Sequence, residues 1–173
     1  MQPPAINHEW TAVDGTQVLI RPIRPEDREI ERAFVQGLSS NSKYFRFFSA
    51  VTDLSPKLLD RFTQVNYPTE MAFIATIQVE MAELEIGVAR YAPGSAEGTA
   101  EFAVVIADDW QGRGIGRELL RHLFDVAEES GLVRIEGIVL TANKNMLRLC
   151  RKLGFTASQY PGDAQLVCVN KNL

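Results

Sequence analysis

A run of alternating glycines is the part of this chain whose residue types and spacing point most directly to chemistry. Gly112, Gly114 and Gly116 follow an apolar stretch at residues 103–107 and open a segment with helical periodicity. The first N–H groups of a helix have no intrahelical acceptor, and glycines let an anion approach them without a Cβ in the way. The run therefore predicts a phosphate-binding turn, although tight packing of a helix on a strand would also account for the glycines.

Better-known glycine motifs fail at specific positions. The dinucleotide fingerprint G-x-G-x-x-G needs a third glycine at position 117, which is Arg117. The phosphate loop that ends in G-K-[ST] is excluded because no such triplet follows the glycines. No serine stands in the pattern G-x-S-x-G, so a hydrolase nucleophile elbow is excluded too.

The glycine run lies within a chain that alternates between strand and helix patterns. Short connections join three central strands, which indicates an antiparallel meander. The predicted elements are two hairpin strands around Asp14-Gly15, helices opened by Pro25 and by Ser55-Pro56, strands at 71–79, 84–91 and 99–107, a helix at 112–130, a strand at 133–140, a helix at 143–153 and two final strands. This order predicts an α/β fold with a mixed, mostly antiparallel sheet of about six to seven strands and helices on both faces.

Length and composition favour one domain over residues 1–173. The net charge is 18 − 22 = −4, so a nucleic acid is not an expected partner. The longest apolar run, residues 102–107, is far shorter than the ~20 residues of a membrane helix, and the N-terminus lacks export features. Cys150 and Cys168 give neither a disulfide framework nor metal spacing. His122 is expected to be solvated on the charged side of its helix, and His8 lies near the N-terminal end. We expect a soluble cytoplasmic protein with no metal.

Two motifs carry a resemblance to a known family. Gln111-Gly112-Arg113-Gly114-Ile115-Gly116 resembles the acetyl-coenzyme A signature [QR]-x-x-G-x-[GA] of the GNAT N-acetyltransferase superfamily. Residues 143–155, from Asn143 to Leu153-Gly154-Phe155, resemble its final helix. Residues 14–16, 20–27 and 44–48 resemble the GNAT domain of bacterial protein lysine acetyltransferases.

The resemblance implies a GNAT fold, acetyl-CoA as the donor substrate, no metal, and a primary amine as the acceptor, with protein lysine first. The alternatives left open are a small-molecule amine acetyltransferase, an acyl-CoA sensor with weak catalysis, and a nucleotide-binding regulator. A homodimer is also left open.

The resemblance further implies which residues hold acetyl-CoA. The glycine turn would take the phosphates, and backbone N–H groups of the preceding strand would pair with the pantetheine amides and the thioester carbonyl. The implied cofactor-binding residues are Val104, Val105, Ile106, Gln111, Gly112, Arg113, Gly114, Ile115, Gly116, Arg117 and Asn143. Two simpler interpretations stay open: Asn143 is also a suitable helix N-cap, and the two arginines could be solubilising charges.

Acetyl transfer to an amine also requires a proton acceptor. An amine of pKa about 10.4 is almost wholly protonated at neutral pH, so a general base is needed. Glu101 is the predicted base because it opens the strand that leads to the glycine turn, where partial desolvation is expected; Glu136 is the alternative. The family's usual tyrosine general acid corresponds to Cys150, for which we expect a packing role.

Overall fold

The computed structural model describes residues 4–173, which form one mixed sheet flanked by helices. The strands are β1 (His8–Thr11), β2 (Gln17–Pro22), β3 (Met71–Val79), β4 (Ala82–Pro93), β5 (Thr99–Ile106), β6 (Arg134–Leu140), β7 (Thr156–Gln159) and β8 (Leu166–Asn172). The helices are α1 (Arg28–Gly37), α2 (Ser40–Phe47), α3 (Pro56–Thr63), α4 (Ile115–Glu129) and α5 (Lys144–Lys152), with 3-10 turns at Pro25–Asp27 and Asp108–Trp110. In this part of the chain, none of the helices combines the length and apolar content needed to cross a bilayer.

The strands follow the order β1-β2-β3-β4-β5-β6-β8-β7. All neighbours are antiparallel except β5 and β6, which run parallel because α4 crosses over between them. The mixed, mostly antiparallel sheet predicted from the sequence is confirmed. Its strand number is eight rather than six to seven, since both hairpin strands at the N-terminus and both at the C-terminus join it.

The parallel strands β5 and β6 pair over a short distance and then diverge. Their ladder ends at Glu101 opposite Glu136, although β5 continues to Ile106 and β6 to Leu140. The ring of Phe102 lies at this point, so close to Gly137 that a Cβ there would be 2.9 Å from Phe102 Cε1. The divergence leaves a gap in the sheet.

Helices cover both faces of the sheet, as predicted. On one face α4 and α5 pack over a core that includes Leu119, Leu123 and Phe102. On the other, α1, α2 and α3 cover a smaller core around Phe34 and Leu59. Burying these apolar faces is the main force that holds the helices against the sheet.

Helix α2 lies in a segment for which the sequence pattern predicted no helix. Its apolar residues do not follow a clear helical stripe, so its position depends on specific polar contacts. Ser39 caps it by accepting a hydrogen bond from the Ser42 N–H (3.1 Å). Asp108, just after β5, accepts from the Ser39 N–H (2.9 Å) and from the Ser42 hydroxyl (2.8 Å). These bonds tie α2 to the end of β5.

Candidate active site

The diverging ends of β5 and β6 border a cavity of about 300 Å³, which we call the splay cavity. Its walls come from both strands, from the end of α2 and from the start of α5. The lining residues are Phe45, Arg46, Phe47, Phe48, Glu101, Phe102, Ala103, Val104, Gly137, Ile138, Val139, Asn143 and Met146. Several residues of the aromatic segment 44–48 therefore reach the site.

The backbone of β5 presents hydrogen-bonding groups to this gap. The Ala107 N–H donates to the Ile86 carbonyl of β4 (2.9 Å). Because N–H groups alternate in direction along a strand, the Val105 N–H also points to β4. The N–H groups of Val104 and Ile106 point into the gap. Of the three predicted N–H donors, those of Val104 and Ile106 could therefore bind an extended ligand, whereas that of Val105 is used in the pairing with β4.

The glycine turn leads directly into α4, which begins at Ile115 rather than at Gly112. Gly112 and Gly114 have φ of +77° and +91°, in the left-handed region that favours glycine. The first N–H groups of α4, including those of Ile115 and Gly116, have no intrahelical acceptor. A Cβ on Gly112 would meet no described atom within 4 Å, so the outer side of this turn is open. An anion could be held here.

The polar side chains of the turn have different roles. Gln111 Nε2 donates to the Ile106 carbonyl (3.1 Å) and so fixes the turn to β5. The Arg113 guanidinium pairs with Asp14 of the β1–β2 turn, donates to the Asp109 carbonyl (2.8 Å) and stacks on the Trp110 ring (4.4 Å to its centroid). Both side chains stabilise the turn itself. Arg117 is exposed, and its side chain could approach a bound phosphate.

Asn143 combines the two roles left open by the sequence. Its Oδ1 accepts a hydrogen bond from the Met146 N–H (3.1 Å), which makes it the N-cap of α5. It also lines the splay cavity. Asn143 is therefore the N-cap of α5, and this position places it beside the gap between β5 and β6.

A second cavity of about 400 Å³, the acceptor cavity, lies against the α2–α3 side of β4 and β5. Its lining residues are Arg46, Arg61, Phe62, Val65, Glu70, Met71, Arg90, Tyr91, Ala92, Pro93, Glu101, Phe102 and Ala103. Arg46, Glu101, Phe102 and Ala103 line both cavities. Two ligands could thus meet at Glu101.

The two candidate bases have different surroundings. Glu101 is exposed, so the expected partial desolvation is wrong: the carboxylate sits where the two cavities open rather than inside the apolar strand. Glu136 accepts a hydrogen bond from the Ser95 N–H (2.6 Å) in the β4–β5 turn. The Ser95 side chain, and after it this backbone N–H, lower the pKa of Glu136. Glu136 therefore holds a turn, and Glu101 is the carboxylate available to a ligand.

Two arginines beside Glu101 were not assigned a role by sequence reasoning. Burial, reinforced by the charge of Arg90, lowers the pKa of Arg46 to about 10, while the carboxylates of Glu31 and Glu101 oppose the shift. Arg90 Nη2 lies 3.3 Å from Glu31 Oε1, and its guanidinium stacks on the Phe62 ring at 4.1 Å. The signal that could have found Arg46 is a lone cation flanked by three phenylalanines in the segment 44–48.

Behind these arginines lies a buried pair of carboxylates. Glu31 on α1 and Glu85 on β4 are 1% and 2% exposed. Burial, together with the neighbouring Glu31, raises the pKa of Glu85 well above its ordinary value. Glu85 is therefore a proton-holding group in the folded chain at moderately acidic pH.

Cys150, for which the sequence predicted a packing role, is part of the core. It is 2% exposed and packs among the apolar residues between α4, α5 and the sheet. Burial raises the pKa of its thiol to about 11. The thiol is a packing group, as expected, and it does not line either cavity.

Comparisons with known proteins agree with this geometry. Residues 17–156 match the family model described as Acetyltransferase (GNAT) domain. The chain is 43% identical over 154 residues to Acetyltransferase PA5475 of Pseudomonas aeruginosa, covering 89% of this chain and 83% of that protein. It is 30% identical over 142 residues to Acetyltransferase Pat of Mycolicibacterium smegmatis, covering 81% of this chain but 41% of that protein.

A solved structure has the same fold as this chain. The GNAT domain of S. lividans PAT superposes with a TM-score of 0.88 at 30% identity, covering 99% of this chain and 100% of that domain. The sheet that diverges between β5 and β6, the glycine turn that opens α4, and the match over most of the sequence lead to one conclusion. The chain belongs to the GNAT acetyltransferase family and is an N-acetyltransferase that uses acetyl-CoA.

Proposed function

We propose that this protein transfers the acetyl group of acetyl-CoA directly to a primary amine, with Glu101 as the general base. The observation that carries the proposal is the position of Glu101, which lines both the splay cavity and the acceptor cavity. A base must reach the attacking amine while that amine reaches the thioester, and this carboxylate borders both spaces.

The donor would lie along the exposed edge of β5. Its phosphates would meet the N–H groups at the start of α4, with Arg117 beside them. Its pantetheine arm would follow the backbone of Val104 and Ile106 into the gap between β5 and β6. The N–H groups that face the gap would then stabilise the charge that develops on the thioester oxygen.

The proposed reaction needs only acetyl-CoA, the amine and the Glu101 carboxylate. The amine nitrogen attacks the thioester carbon, a C–N bond forms, and the amine proton passes to the Glu101 carboxylate. The C–S bond then breaks and coenzyme A leaves as a thiolate. A thiol pKa near 8.5 makes that leaving group stable enough to take its proton from water. Buried Cys150 is not needed for this step.

A protein lysine is the acceptor that we propose first. Residues 20–27 and 44–48 resemble the GNAT domain of bacterial protein lysine acetyltransferases. The rim of the site supports the same choice, because Tyr44 is 45% and Phe48 44% exposed on α2 and just after it. Exposed aromatic side chains beside a catalytic cleft are typical of surfaces that bind another protein.

A small amine that carries an acidic group is the second candidate, and one observation favours it. The acceptor cavity is lined by three arginines, Arg46, Arg61 and Arg90, of which Arg61 is exposed. A guanidinium at the mouth of a cavity is a good partner for a carboxylate.

Release of coenzyme A thiol from acetyl-CoA, followed with lysine-containing peptides and with acid-bearing small amines, tests both candidates. If the acceptor carries an acid, Arg61→Ala should raise the KM for that amine by about 10–100-fold, the loss expected for one charged hydrogen bond. Arg148→Ala, which removes an exposed arginine of α5 outside both cavities, is the matched control. Acetyl-CoA binding without thiol release from any amine would instead indicate a sensor domain.

Two further expectations accompany the proposal. We propose a cytoplasmic location, because acetyl-CoA is a cytoplasmic metabolite in bacteria and the relatives are bacterial acetyltransferases. Self-association into a homodimer stays a prediction that light scattering can test.

A further inference from the structure

Three metal-ligating side chains meet outside the proposed active site. His8 lies on the edge strand β1, and Glu118 and His122 lie one turn apart on α4. One ligand atom from each of the three lies within 4.8 Å of the other two. No metal spacing is visible along the chain because His8 lies far in sequence from Glu118 and His122, and only the packing of β1 on α4 joins them.

The separations within the cluster resemble the edges of a tetrahedron around zinc. Glu118 Oε1 lies 3.5 Å from His8 Nε2 and 3.6 Å from His122 Nε2. Ligands bound to Zn²⁺ at about 2.0–2.2 Å in tetrahedral geometry are about 3.3–3.6 Å apart. The two imidazoles lie 4.7 Å apart between ring centroids, so a modest rotation of His8 brings its nitrogen into range.

Burial and hydrogen bonding leave the ligands available. The His122 side chain is 11% exposed, and within residues 4–173 its Nε2 has no hydrogen-bond partner. The His8 side chain is 38% exposed, so water and ions can reach the cluster from that side. His122, expected from the sequence to be solvated, instead shares one carboxylate with His8.

One cation competes for that carboxylate. Arg121 donates to both carboxylate oxygens of Glu118, from Nη2 to Oε1 at 2.5 Å and from Nε to Oε2 at 3.4 Å. The arginine side chain is 51% exposed, so solvent screens the pair, and Asp125 at 3.8 Å offers Arg121 an alternative partner. A metal ion can therefore replace the guanidinium at Glu118.

We propose that His8, Glu118 and His122 form a Zn²⁺ site with water as the fourth ligand. Two imidazoles and one carboxylate match the preferences of zinc and leave one position open. The ion would fasten β1 to α4. The same hairpin touches the glycine turn, since Arg113 pairs with Asp14 and a Cβ on Gly114 would lie 3.3 Å from the Trp10 ring. Zinc would thus stabilise the region that presents the glycine turn.

Titration calorimetry with ZnCl₂ on the metal-stripped chain, residues 1–173 free of any histidine tag, tests the site. The expected result is one Zn²⁺ per chain and a rise in Tm, because a ligand that binds only the folded state stabilises it. His8→Ala should weaken binding by at least about 100-fold, since loss of even an outer-shell partner costs ~10–100-fold. Arg121→Ala should strengthen binding by removing the competing cation.

Co²⁺ supplies a second readout that is independent of stability. Co²⁺ in a four-coordinate site should give visible absorption bands, and these bands should disappear in His8→Ala. Because His8 is partly exposed on an edge strand, this variant should still fold. Cys168→Ser should leave both readouts unchanged. Zinc binding that survives His8→Ala, or a parent protein that binds no zinc, would overturn the proposal. MgCl₂, which prefers oxygen ligands, should give no signal.

Discussion

Replacing Glu101 by glutamine is the most direct test of the proposed chemistry. The amide keeps the size and shape of the side chain but cannot take a proton from the amine. Glu101 is exposed, and among the described contacts its carboxylate caps no helix and holds no turn. The variant should therefore fold normally and bind acetyl-CoA with unchanged affinity, since the glycine turn lies elsewhere.

The expected loss in rate follows from the amine and from the exposure of the base. Deprotonating an amine of pKa 10.4 at pH 7 costs about 4.6 kcal/mol. A general base supplies roughly 10²–10⁴-fold of rate. Because Glu101 is exposed, water can partly replace it in the variant, which favours the lower half of that range. We expect kcat to fall by about 10²–10³-fold, or ~2.7–4 kcal/mol.

The assay is thiol release from acetyl-CoA with a saturating amine, followed across a range of pH. In Glu101→Gln the rate should rise about tenfold per pH unit towards the pKa of the amine, because the free amine must come from solution. Glu136→Gln is the matched control: that carboxylate pairs with the Ser95 N–H at 2.6 Å, so turnover should stay within a few-fold of the parent.

Two results would refute this reasoning. A Glu101→Gln variant with the parent rate at neutral pH would show that the base lies elsewhere. An equal fall in Glu136→Gln with unchanged thermal stability would move the assignment to Glu136.

Three other predictions follow from single sites. Gly112→Val should weaken acetyl-CoA binding by at least about tenfold in calorimetry. Gly162→Val is the control and should leave the affinity unchanged, because Gly162 has a similar positive φ (+83° against +77°) and equally open surroundings. Equal affinity in both variants would place the phosphates elsewhere. Cys150→Ala should keep turnover within a few-fold, and a loss of roughly 10² or more would make the thiol a general acid. Glu85→Gln should raise the free energy of unfolding increasingly as pH rises above 4.5, because the folded chain holds a proton that the unfolded chain releases. Denaturant titrations at about pH 5 and pH 8 measure this, and a pH-independent effect at Glu85 would contradict the assignment. Glu83→Gln is the contrast: Arg21 lowers the pKa of Glu83, so this variant should lower the free energy of unfolding by nearly the same amount at both pH values.

The sequence by itself determined the features that depend on neighbours along the chain. Glycines at alternate positions before an amphipathic stretch predicted the turn and helix α4, and apolar strands joined by short turns predicted the meander. Local backbone preferences and periodic burial are sufficient for such features, which is why the fold class and the position of a candidate anion-binding turn could both be predicted from the sequence. Helix α2 was not predicted, because the Asp108 carboxylate that holds its start lies more than 60 positions away in the chain.

Only the tertiary structure decided which distant side chains meet. The divergence of β5 from β6 at Phe102 opens the space beside Glu101, and the exposure of that carboxylate follows from the two cavities around it. Arg46 and Arg90 reach the same site from α2 and β4. His8 reaches Glu118 and His122 only because the N-terminal hairpin packs on α4. Burial and charge depend on every element packed around a group, and a pattern read along one chain contains no record of those elements.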